Sequence, residues 1–135
     1  MSETRLRNYV LDNVDHIGHW SKVESPDTSP GIPDLNWQMD KSGDWLELKF
    51  GNKRKPPHLR PTQCAWFRRR VRAGGKPQLL VCVDLDGVKT FGLIHGKDVP
   101  AMVNAKNNAH WLKACYIRWE NRIVWTEFID LLLRG

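Results

Sequence analysis

Cysteine is scarce in this chain of 135 residues: Cys64, Cys82 and Cys115 are widely spaced, odd in number and form no Cys-x-x-Cys pair. That set argues against a disulfide framework and against a cysteine-built zinc site. No apolar run approaches the roughly eighteen residues a membrane helix needs. The opening MSETRLRNYVLDNV lacks the apolar stretch of a secretory leader. The expectation is a cytoplasmic protein with no membrane partner. Internal repeats, low-complexity tracts, a Walker loop, a dinucleotide fingerprint and serine or cysteine triad signatures are also missing. What remains is a length suited to one domain that needs no covalent staple.

A further absence is local. From Leu48 to Val83 there is no carboxylate, yet the stretch holds ten basic residues: Lys49, Lys53, Arg54, Lys55, Arg60, Arg68, Arg69, Arg70, Arg72 and Lys76. The whole chain carries +6, so everything outside that segment is net acidic. A solvated helix face is the ordinary explanation of a charge run. Here the lack of any opposing charge favours a polyanion partner, bound through released counterions.

The hydrophobic pattern predicts an amphipathic helix over residues 3–14, with Leu6, Val10 and Val14 at i, i+4 and i+8. Strands are expected at His19–Ser25, Pro33–Met39 and Asp44–Phe50, with a turn-rich loop at Ser25–Gly31 and a hairpin loop at Asp40–Gly43. Gly51–Arg60 reads as a basic loop. A helix follows from Pro61, preorganised for the first helical position, to the stop at Gly74-Gly75. Leu79–Val83 reads as a buried strand, turned at Asp84–Gly87 into Val88–Ile94. Asp98 is expected to cap a short helix containing Pro100, before a strand near Cys115–Trp119 and a final helix after Thr126. This order implies an α/β fold, a mixed central sheet flanked by helices.

The chemistry centres on Gly31-Ile-Pro-Asp34 and Trp45-Leu-Glu47-Leu-Lys49. The two-residue period of a strand puts Glu47 and Lys49 on one face, with Leu46, Leu48 and Phe50 on the other. Register can bring Asp34 opposite Glu47. Two carboxylates suit a hard cation such as Mg²⁺, which takes one or two of them plus waters and phosphate oxygens. A neighbouring ammonium can orient the attacking water or steady developing charge. Pro-Asp is also an ordinary turn and Glu-x-Lys an ordinary strand pair. The basic segment that begins at the lysine, and the helix carrying Gln63 that follows it, favour metal-assisted phosphodiester hydrolysis.

The runs GIPDL at 31–35, WLELK at 45–49 and LRPTQCAW at 59–66, with Gly74-Gly75, resemble the PD-(D/E)XK nuclease superfamily, and within it the small stand-alone VRR-NUC type of phages and bacteria. The resemblance covers roughly residues 3–94 of a single nuclease domain at 1–135, leaving 95–135 as a C-terminal extension. It implies a restriction-endonuclease-like core and a metal-dependent endonuclease acting on DNA, with branched DNA or four-way junctions as substrate. It also implies Mg²⁺ or Mn²⁺ held by Asp34, Glu47 and the Leu48 carbonyl, with Glu3 as a weaker ligand candidate. Lys49 would assist the attacking water, and Gln63 would lie beside the site. The implied setting is a bacterial or phage-infected cell. Arg60 departs from the pattern, standing where a Ser or Thr helix cap is common.

Backbone phosphates would meet Lys53, Arg54, Lys55 and Arg60 in the loop, and Arg68, Arg69 and Arg72 on the helix. Symmetric cutting would need a homodimer. The Thr126–Arg134 segment is apolar nearly all round and could form an interface, although core packing is the plainer reading. Most of the seven tryptophans should fill the core; Trp45 shares the face of Glu47 and could approach the substrate. His16 and His19 have a spacing a metal could use but no further ligands nearby, so an exposed helix end is expected. Two other functions stay open: a nucleic-acid-binding module without turnover, and a glycoside hydrolase using Asp34 and Glu47 as an acid/base pair.

Overall fold

The computed structural model describes residues 1–23 and 31–135; the loop expected at 25–31 therefore lies, except for Gly31, outside the described residues. Helix α1 (Glu3–Val14) starts where Ser2 Oγ accepts the Arg5 N–H at 3.1 Å, and it buries Leu6, Val10 and Val14 completely. Strands β1 (His19–Lys22), β2 (Leu35–Met39) and β3 (Ser42–Asn52) form a meander that turns between the last two at Asp40, whose φ is +51°. Helix α2 (Pro61–Arg72) crosses over to β4 (Gln78–Leu85). A two-residue turn then leads into β5 (Val88–His95); Asp86 and Gly87 both adopt positive φ there, as this tight hairpin demands. Two 3₁₀ segments (Gly96–Asp98 and Pro100–Asn104), α3 (Asn108–Ala114), β6 (Ile117–Glu120) and α4 (Trp125–Arg134) complete the chain.

Among the described residues, six strands lie in sequence order in one sheet, and β3 with β4 is its single parallel pair. The parallel pair exists because α2 carries the chain back before β4 begins. The protein is therefore α/β, a mixed open sheet flanked by helices. Alternation along the strands separates two cores. Leu35, Leu46, Leu48, Leu80, Cys82 and Leu93 pack with α1 and α4, whereas Leu79, Val81, Val83 and Ile94 pack with Phe67 of α2 and Trp111 of α3. Glu47 and Lys49 belong by parity to the α2 face.

Three expectations change. Asp98 caps nothing: it ends the first 3₁₀ segment, and the second begins at Pro100 after Val99, whose backbone is already helical. Helix α3 was not foreseen, although Asn107 announces it by accepting the His110 N–H at 2.8 Å. The last helix begins at Trp125 and is amphipathic, placing Phe128 and Leu132 in the core with Glu127 and Asp130 exposed. Residues beyond 94 are thus integral to both cores, through Val99, Met102 and Trp111 on one face and Trp119, Ile123, Phe128 and Leu132 on the other. No described helix is long and apolar enough to cross a membrane.

Candidate active site

Strand β2 begins at Leu35, opposite Leu46, while β3 runs on to Asn52 beside β4 alone. The edge vacated by β2 is taken up by Asp34. Its carboxylate Oδ2 accepts the Leu48 N–H at 2.9 Å, and its own N–H donates to Glu47 Oε1 at 3.2 Å. In a strand the N–H and C=O of one residue face the same side, so the Leu48 carbonyl is turned toward this edge as well. Extending the β2–β3 register by one residue sets Asp34 across from Glu47.

The start of α2 supplies the opposite wall. Arg60 sits at the N-cap with no side-chain oxygen to offer. Gln63 takes over half of a capping box, its Oε1 accepting the Arg60 N–H at 2.9 Å. The same oxygen accepts Lys49 Nζ at 3.0 Å, and the Gln63 amide nitrogen donates to Glu47 Oε2 at 2.6 Å. Only this orientation of the amide satisfies two donors and one acceptor together. Gly31 fixes the spacing between the two walls: its φ is +87°, and a Cβ there would fall 2.2 Å from the Thr62 carbonyl oxygen. Glycine at 31 therefore lets the segment carrying Asp34 lie directly on the first turn of α2, a function the sequence motif alone does not explain.

Glu47, Lys49 and Gln63 are almost sealed, with 2%, 6% and 4% of their surface exposed. Lys49 Nζ lies 3.5 Å from Glu47 Oε2 and 4.0 Å from Glu3 Oε1. Burial pushes the Glu47 carboxyl well above the ordinary carboxylate range, contact with Asp34 pushes it further, and Lys49 opposes both. Partial burial likewise raises Glu3 against the pull of Lys49. Glu3 and Glu47 thus both lie beside the Lys49 ammonium, and Asp34 bears on both of their carboxyls. A solvent-open cavity of about 480 Å³ reaches Asp34, Glu47, Lys49 and Gln63, with Glu3, Lys55 and Arg60 among its lining.

Among the described residues, no group of three His, Cys, Asp or Glu side chains is disposed to hold a metal ion. The donor set still suits Mg²⁺ or Mn²⁺: two neighbouring carboxylates, one of them buried, beside a carbonyl on an open strand edge. A hard cation needs only one or two protein carboxylates when water and phosphate oxygens complete its shell. A cation there would also offset the burial and the neighbouring Asp34 charge that raise the Glu47 carboxyl.

Comparison with models of known families, with curated proteins and with solved structures finds no match to this chain. Chemical assignment therefore rests on the residues and their geometry.

Lys55 and Arg60 line the cavity. Lys53 turns instead to Asp86, 3.6 Å away, in a pair so exposed that it adds little stability. Arg54 is exposed and outside the lining, and Arg68, Arg69 and Arg72 stand on the outer surface of α2, away from the cavity. His16 and His19 are exposed, with His16 just beyond α1 and His19 opening β1. Burial pushes the Cys82 and Cys115 thiols up to about 12, so neither offers a thiolate nucleophile near neutrality.

Proposed function

We propose that this protein is a metal-dependent endonuclease that hydrolyses DNA phosphodiester bonds, with Mg²⁺ or Mn²⁺ as cofactor. One observation carries the reading: Asp34, Glu47, Lys49 and Gln63, which come from a strand edge, a central strand and a helix start, meet in one solvent-open cavity that also reaches basic residues. Asp34, Glu47 and the Leu48 carbonyl would hold the cation, with Glu3 at the mouth. When bound, such an ion polarises the scissile phosphate and acidifies water.

The chain's own groups divide the rest of the work. Gln63 and Glu47 hold Lys49 Nζ at a fixed position, where its ammonium can donate to the attacking water or to charge growing on a phosphate oxygen. Lys55 and Arg60 bring backbone phosphates to the cavity mouth. The resemblance to the VRR-NUC type supports branched DNA, including four-way junctions, as substrate; symmetric cutting of a junction would need a homodimer.

The test is incubation of wild type and Lys49→Met with duplex, single-stranded, nicked and four-way DNA, in Mg²⁺, Mn²⁺ or EDTA. Wild type should cut only with metal, and Lys49→Met should cut roughly 10²–10³-fold more slowly while retaining DNA binding. Cutting that persists in EDTA, or failure to cut any of these DNAs with either metal, overturns the reading.

A further inference from the structure

Beside the cavity lies an aromatic and cationic groove that the cleavage machinery does not use. Trp45 precedes Glu47 by two residues on the same face of β3, which puts it about 7 Å along the strand, close to two base steps of a stacked nucleic-acid strand. Its ring meets that of Trp66 on α2 edge-on, with centroids 5.9 Å apart. Trp66 lies one turn beyond Gln63, rests on Phe67 at 5.5 Å and carries the Arg70 guanidinium 5.0 Å from its centroid. Trp66, Arg69, Arg70 and Ala73 line a shallow depression of about 240 Å³.

Two features separate this groove from ordinary core packing. Trp45 and Trp66 are only half-buried, and neither indole N–H has a hydrogen-bond partner among the described residues. Helix α2 carries no acidic residue, and among the described residues none of Arg68, Arg69, Arg70 and Arg72 has an ion-pair partner. A half-buried aromatic ring flanked by guanidinium groups that have no ion-pair partner among the described residues matches the chemistry of a single nucleic-acid strand: bases stack on the ring and phosphates meet the arginines.

We infer that Trp66, supported by Trp45 and flanked by Arg69 and Arg70, is a stacking subsite for an unpaired DNA base lying one or two nucleotides from the scissile phosphate. This rests on the nuclease reading for its register with the cleavage site. The subsite gives the protein a means of choosing DNA with a displaced strand, because a fully paired duplex keeps its bases stacked within the helix. Arg70 covers the ring in the free protein and must swing aside or sandwich the incoming base.

The experiment measures binding in EDTA, at fixed salt, of a labelled single-stranded oligonucleotide and of a duplex of equal length. An additional single strand carries one abasic position, moved stepwise along the sequence. Trp66→Ala should weaken single-strand binding roughly 5- to 100-fold and change duplex binding less than about twofold. Trp66→Phe should retain most of the affinity. One abasic position should weaken binding to wild type and leave Trp66→Ala indifferent, while duplex binding retained by Trp66→Ala shows that the variant is folded. Equal losses on both DNAs, or no loss, overturn the subsite. If wild type cuts DNA with Mg²⁺ yet Trp66→Ala is unaltered, the subsite alone fails. If wild type shows the stacking pattern but never cuts, the nuclease reading alone fails; if it binds neither DNA, the subsite fails.

Discussion

The Gln63 side-chain amide donates to Glu47 Oε2 at 2.6 Å, joining the first turn of α2 to the middle of β3. Through its other end the same amide receives Lys49 Nζ and the Arg60 N–H. One side chain therefore caps a helix, locates an ammonium and binds a buried carboxylate.

Replacing it removes all three bonds. Gln63→Leu keeps the approximate size but leaves Lys49 and the Arg60 N–H short of an acceptor. Loss of a partner from buried polar groups costs about 1–3 kcal/mol. Urea denaturation should show a loss of that size with an unchanged m-value, and cleavage should fall further than stability does, because Lys49 loses its fixed position. A variant as stable and active as wild type would show that the network has no such role.

Glu47 makes stability depend on pH in a defined direction. Its folded-state carboxyl lies above the ordinary range, chiefly because of burial. The folded state thus holds that proton more tightly than the unfolded chain, so its contribution is complete in acid and is lost as pH rises through the raised value. Glu47→Gln cannot ionise and escapes that loss. In EDTA, the Tm of Glu47→Gln minus that of wild type should become more positive between about pH 5 and pH 8; a difference that shrinks with rising pH would contradict the assignment.

Much of this site was legible in the sequence, for reasons that can be named. Period-two alternation placed Glu47 and Lys49 together, and Pro61 marked the start of α2. Three features were not legible. The arrest of β2 at Leu35, which lets Asp34 bond the Leu48 N–H, depends on pairing across the sheet rather than on local pattern. The role of Gly31 appears only once Thr62 is seen beneath it. The spread of the basic residues was hidden as well: a linear charge run cannot show that Lys55 and Arg60 enter the cavity lining while Lys53 turns to Asp86.

Metal binding can be read without turnover. A ligand at a hundredfold excess over its Kd stabilises by about 2.7 kcal/mol, which moves Tm by several degrees in a chain of this size. Titrating Mn²⁺ should raise the Tm of wild type in this way. Asp34→Asn should lose most of the rise, since it removes one of two carboxylates from the site. An equal rise in both proteins would place the cation elsewhere.

The division of the basic residues leads to a salt experiment. Lys55→Ala with Arg60→Ala should lower the slope of log K against log salt by about 2 for duplex DNA. The same pair should slow cleavage at subsaturating DNA. An unchanged slope would remove the cavity mouth from the phosphate path.

Helix α2 presents Gln63 to the cavity at one end and is backed by the residues that follow β5: the Cys64 thiol reaches the Pro100 carbonyl at 3.5 Å, and Phe67 shares its core with Val99 and Met102. These 3₁₀ turns act as a shim behind one jaw of a vice. A cavity-forming change such as Met102→Ala will therefore be felt at Lys49 as a slackened grip, carried by α2 from Phe67 to Gln63. Trimming the chain to the first 94 residues would take the shim away and leave the jaw with nothing to press against.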